Sequence, residues 1–225
     1  MPKSSRPPSI RMLFIGNSFT QRNDLPGLLA QLAAARDLHI AHDLISVGGA
    51  SLRTHWNAGR AAQAIASGSY DYVVLQEQST LPVKNAQRMA ENVRLFDNSI
   101  KLAGAKSVLY MTWARRNTPE TQQAITDAYN TVGDELGAIV VPVGLVWKRF
   151  LTKHERPVLH DRDHSHPTLA GSYLAACVFS AALLKKNPVG IDCQLPGLDP
   201  RDMAVLQSAA WEQFGATQAK KRKKA

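Results

Sequence analysis

The stretch RMLFIGNSFTQRNDLPGLLAQLAAA, residues 11–35, sets the reading of everything after it. Its apolar run, residues 12–15, stops at Gly16, Asn17 and Ser18, and leucines and alanines at helical spacing follow. A short run of apolar residues bounded by turn formers reads as a buried strand, and the segment behind it reads as an amphipathic helix. The same order then recurs. Apolar runs at 12–15, 44–47, 72–76, 107–111 and 138–143 alternate with helical segments near 25–36, 55–67, 85–103 and 119–136. A last long helix is expected over 168–185, with a further helical stretch near 200–214. Runs such as YDYVVLQ and GAIVVPVG are apolar almost throughout, and strands apolar on both faces require helices on both faces. The expected fold class is therefore α/β: a three-layer α/β/α sandwich around a five-stranded, mostly parallel sheet.

The chain has 225 residues, 44% of them apolar, enough to bury one sizeable core. The expected organisation is an N-terminal extension over 1–10, one domain over 11–215, and a basic, disordered tail over 216–225. The net charge of +9 is concentrated there: KKRKK, residues 220–224, carries five positive charges and leaves +4 for the rest. A terminal run of like charge is ordinarily a solvated tail, so nucleic acid is not the expected partner. Cys177 and Cys193 form neither a CxxC pair nor a disulfide framework, and Cys177 reads as a small core residue. No apolar run approaches the ~20 residues of a membrane helix, and the opening residues lack the apolar core and cleavage site of a signal peptide. A cytoplasmic location with no membrane partner is expected. No oligomeric state follows from the sequence.

In open parallel sheets, sites form where loops leave the carboxyl ends of strands. Four such loops carry polar residues of note. In GNSFT, Ser18 stands between strand and helix, where it serves either as a nucleophile or as a helix cap. In VGGASL, Gly48 and Gly49 allow close approach to the main chain, but no GxGxxG or P-loop pattern surrounds them. In LQEQST, Gln76 and Gln78 are candidate amide donors to a developing oxyanion, or braces for the loop. Glu77 between them is expected to leave turnover intact when substituted. In HDRDHSHP, residues 160–167, Asp163 and His166 are spaced so that the carboxylate can hold the imidazole by Nδ1. His160, Asp161, His164 and His166 are candidate metal ligands by residue type, but their crowding matches no usual zinc spacing and no metal is expected.

IGNSFT, VGGAS, LQEQS and DHSHP together resemble the serine, glycine, third and Asp-x-x-His blocks of the SGNH (GDSL-like) hydrolase superfamily, over residues 11–185. The third block departs from the usual Gly-x-Asn-Asp. The resemblance implies a flavodoxin-like sandwich of the SGNH type and a serine esterase that needs no cofactor. Its triad would be Ser18, His166 and Asp163, and its oxyanion hole Ser18, Gly49 and Gln78, with Gln76 as competitor. Asn17, Trp113 and Arg115 are the candidate substrate contacts. The substrate is expected to be a small-molecule or carbohydrate ester, including O-acetyl groups on carbohydrate. The alternative is a non-catalytic carbohydrate- or nucleic-acid-binding module on the same scaffold.

Overall fold

Strand β1 (Ser9–Gly16) shows how the sheet is buried in the computed structural model, which describes residues 9–222. Met12, Leu13, Phe14 and Ile15 are each 0% exposed. Met12 and Phe14 point into one apolar layer and Leu13 and Ile15 into the other, as the two-residue period of a strand dictates. Residues 1–8 of the expected extension and 223–225 of the tail lie outside the described residues, while Ser9 and Ile10 already belong to β1.

From β1 the chain passes through α1 (Ser18–Gln21) and α2 (Leu25–Ala34) to β2 (His39–Ser46), then α3 (Leu52–Asn57), α4 (Arg60–Ser67) and β3 (Tyr72–Leu75). Next come α5 (Leu81–Lys84), α6 (Ala86–Leu102), β4 (Lys106–Tyr110), α7 (Gln122–Leu136), β5 (Ile139–Val141), α8 (Val143–Lys153), α9 (Leu169–Ala182) and α10 (Pro200–Arg222). All four strand pairings are parallel and the order is β2-β1-β3-β4-β5. The chain leaves β1 on one side to make β2 and returns to the other side with β3. That reversal opens a crevice at the carboxyl ends of β1 and β3, where ligands bind in open α/β sheets.

Helices α2, α9 and α10 pack together on one face, and α3, α4, α6 and α7 on the other. Helix α9 is buried at every position from Ala170 to Ala182, so its alanines, glycine and two serines reflect a position enclosed on all sides.

Several boundaries differ from the expected ones. Strand β2 starts at His39, because His39, His42 and Asp43 occupy the exposed or half-exposed positions of an edge strand and carry no apolar signal. No helix is expected from the sequence where α8 lies; its first residue, Val143, closes the apolar run 138–143 that reads as strand. Helix α10 runs past residue 214 to Arg222, through part of the segment read as tail. Among the described residues, no helix is long and apolar enough to cross a membrane.

Candidate active site

Strand β1 ends on Gly16 because nothing larger fits. A Cβ there would lie 2.6 Å from Thr20 Oγ1 and 2.7 Å from Gln76 Oε1. Asn17 then caps α1, its Oδ1 accepting from the Phe19 N–H (3.1 Å), and its Nδ2 donates to the Ala50 carbonyl (3.0 Å). Ser18 becomes the first residue of α1 and is half-buried. Asn17, expected to contact substrate, is 2% exposed, and both ends of its amide are taken by protein groups. It ties the serine turn to the glycine loop.

The histidine arrives from the far end of the sequence. Ser18 Oγ lies 2.8 Å from His166 Nε2, across a separation of 148 residues. His166 Nδ1 is hydrogen-bonded to Asp163 Oδ2. Asp163 Oδ1 accepts from the main-chain N–H of Ser165 (3.0 Å) and of His166 (2.9 Å), so the loop's own backbone orients the carboxylate. Burial pushes the Asp163 carboxyl up, but the bonds from the His166 ring and from these two amides outweigh it and hold it well below the ordinary carboxylate range. Phe19 meets the His166 ring edge-on, centroids 5.3 Å apart. A serine hydroxyl against an imidazole whose second nitrogen is held by a carboxylate is an arrangement in which the hydroxyl proton can pass to the ring.

Trp113 supports this loop from below. It is 2% exposed, stacked between Phe19 (4.9 Å) and Trp147 (3.8 Å), and its indole N–H donates to the Ser165 carbonyl (3.0 Å). The expectation of a substrate contact gives way to packing, since the ring has almost no free surface. Arg115 is exposed and lines hollows on either side of its loop. The other histidine-loop residues diverge. His160 Nε2 donates to the Ala114 carbonyl (3.1 Å), and Asp161 pairs with Arg22 (2.7 Å). His164 adopts a left-handed φ of 61°. Among the described residues no three His, Cys, Asp or Glu side chains converge as metal ligands.

The third loop separates its two glutamines. Gln76 is 1% exposed, and its Oε1 accepts from the Asn17 N–H (2.9 Å) and the Thr20 hydroxyl (3.0 Å). Its amide nitrogen donates to the Glu77 carbonyl, so the whole side chain is committed to bracing the serine turn. Gln78 is half-buried, and its Oε1 accepts from Thr80 N (2.9 Å), Thr80 Oγ1 (2.9 Å) and Leu81 N (3.1 Å). Its amide nitrogen donates to no protein group among the described residues. The main-chain N–H groups of Ser18 and Gly49 likewise have no protein acceptor there. Gly49 sits in the Val47–Ala50 turn at φ +69°, with open space where a Cβ would stand.

Two residues bind the loops together that the sequence did not single out for this task. Glu77 is 0% exposed; its Oε1 accepts from the N–H of Leu52 (3.0 Å) and Gln78 (2.7 Å), and its Oε2 from Asn92 Nδ2 (2.8 Å). Burial pushes its carboxyl up, against the lowering effect of those three bonds. His55, on α3, donates from Nε2 to the Gly16 carbonyl (2.7 Å), and burial lowers its pKa. The available signal was a charged residue at the end of an apolar strand, which must be paired if buried.

No family model and no curated protein matches the chain. Solved structures do. A protein from Slackia heliotrinireducens described as an SGNH hydrolase is 27% identical, with a TM-score of 0.68 over 78% of this chain and 99% of that one. A DUF4886 family protein from Bacteroides uniformis is 22% identical, with a TM-score of 0.74 over 91% of this chain and 94% of that one. An acetylxylan esterase from Geobacillus stearothermophilus shares 15% identity and the fold, with a TM-score of 0.62 over 84% of this chain and 98% of that one. The fold is that of an α/β/α hydrolase with its crevice at the β1/β3 switch point. The chain belongs to the SGNH (GDSL-like) hydrolase superfamily.

Proposed function

We propose that the chain is a carboxylic ester hydrolase working through Ser18, His166 and Asp163. The observation that carries this reading is the 2.8 Å contact of Ser18 Oγ with His166 Nε2, on a ring held at Nδ1 by Asp163. In this reading His166 Nε2 takes the hydroxyl proton as Ser18 Oγ bonds to the ester carbonyl carbon, and Asp163 stabilises the imidazolium. The oxyanion that forms needs donors, and the N–H of Ser18, the N–H of Gly49 and the amide nitrogen of Gln78 each have no protein acceptor among the described residues. The carbon–oxygen bond to the alcohol then breaks, and His166 returns the proton to the leaving oxygen. Water follows the same path: it gives a proton to His166, attacks the acyl carbon, and releases the acid as Ser18 regains its proton. No cofactor enters these steps.

Likeness to an acetylxylan esterase supports acetyl groups on carbohydrate as the first esters to try. The test is turnover of p-nitrophenyl acetate and acetylated xylo-oligosaccharides by the parent and Ser18→Ala, with fluorophosphonate labelling of both. Ser18→Ala should lose labelling and about 10³-fold or more of turnover. Undiminished turnover by that variant would sink the proposal.

A further inference from the structure

Behind the histidine loop lies a second recess that the ester chemistry does not use. A cleft of about 500 Å³ is lined by Arg116, Leu151, Arg156 and Val158. An adjoining hollow of about 240 Å³, which also contains Arg116 and Leu151, is lined by Arg115, Trp147 and Lys148. The size suits a small organic ligand.

The chemistry of the lining is one-sided. Arg22, Arg94, Lys101 and Lys153 each pair with a carboxylate, whereas Arg115, Arg116, Lys148 and Arg156 make no ion pair among the described residues. One carboxylate, Glu155, lines the larger cleft. Leu151 and Val158 supply apolar wall at 42% exposure each. Trp147 is 1% exposed, and its indole N–H has no partner among the described residues. The walls thus offer positive charge and apolar surface. The site is held in place by the Arg116 N–H, which donates to the His164 carbonyl (2.9 Å), and by the stacking of Trp147 on Trp113.

We propose that this cleft binds a small organic anion, a carboxylate or phosphate on an apolar, ring-sized body, with Arg116 and Lys148 at the charge and Leu151 at the body. The site is independent of the serine chemistry.

Calorimetric titration of the full chain with benzoate, phenyl phosphate and the neutral benzamide tests it. At least one anion should bind about tenfold more tightly than benzamide, because charge-assisted bonds are the stronger ones. Which of the two binds better identifies the anionic group. The double variant Arg116→Gln/Lys148→Gln should weaken anion binding about tenfold and leave benzamide unaffected. Ser18→Ala should bind the anion as the parent does, whatever becomes of its ester turnover. Absence of binding by both anions up to about 10 mM, or equal binding of benzamide, would overturn the proposal. So would undiminished anion binding by the double variant, or loss of binding in Ser18→Ala, which would put the ligand at the serine. Should the double variant fail to fold, the comparison of anion with benzamide on the parent still decides.

Discussion

Trp113 donates its indole N–H to the carbonyl of Ser165, the residue before His166, at 3.0 Å. The bond anchors the histidine loop to the end of β4 and leaves the ring stacked within the core. Trp113→Phe keeps an aromatic ring but strands the Ser165 carbonyl, a loss of about 1–3 kcal/mol. The expected result is a melting temperature lower by several degrees and a kcat about tenfold lower with KM nearly constant. A rise in KM at unchanged kcat would instead return Trp113 to the role of substrate contact.

Gln78 and Gln76 should fail differently. Gln78→Ala removes an amide whose nitrogen has no protein acceptor, and the half-buried Thr80 and Leu81 donors that it releases can turn to water, so kcat should fall by about 10²–10³ with little change in KM and a smaller loss of melting temperature. Gln76→Ala removes the acceptor of the Asn17 N–H and the Thr20 hydroxyl, and should lower the melting temperature along with activity. Kinetics and thermal melts of the two variants separate the cases; a fully active, normally folded Gln78→Ala enzyme removes Gln78 from the oxyanion hole.

Glu77→Ala leaves the donors of Leu52, Gln78 and Asn92 without their acceptor. A combined cost of about 2–4 kcal/mol would lower the melting temperature by roughly 5–10 °C. Turnover should drop as well, because Leu52 follows the glycine loop and Gln78 carries the proposed side-chain donor. Sequence alone pointed to an inert position. Glu77→Gln tests whether shape or charge matters: Asn92 Oδ1 already accepts from Arg53 Nε (3.0 Å), so a second amide would face Asn92 Nδ2 donor to donor. It should rescue only part of the loss.

Acid should loosen the histidine loop. The Asp163 carboxyl is held below its ordinary value in the folded chain, so its contribution is present above the ordinary carboxylate pKa and is lost as pH falls through that value toward the folded one. Melting curves of the parent and Asp163→Asn should therefore differ most near neutral pH, and the gap should begin to narrow below about pH 4. The gap should be modest, because the side chain is 45% exposed and solvent screens it. A constant gap from pH 7 to pH 3 would show that ionisation of Asp163 plays no part.

The sequence by itself determined the layering of this protein, because burial on both faces leaves a continuous apolar run. Met12–Ile15 and Val73–Leu75 announce central parallel strands in any context, and the leucine and alanine spacing that follows announces helices to cover them. It also brought Ser18, Asp163 and His166 forward, since small polar residues at strand ends and an acid three residues before a histidine are local patterns. Local pattern fails where the partner is distant. The edge strand from His39 has a polar sequence because only one of its sides is paired, and α8 continues an apolar run that its packing against Trp113 resolves as helix. The two glutamines are equivalent to an alternating strand, but β3 stops at Leu75, so Gln76 turns inward to the Asn17 N–H and Gln78 turns to its own loop. Only the tertiary structure decided that, and only it made Glu77 a tie between loops, because whether a charged side chain is solvated or buried depends on what the rest of the chain packs above it.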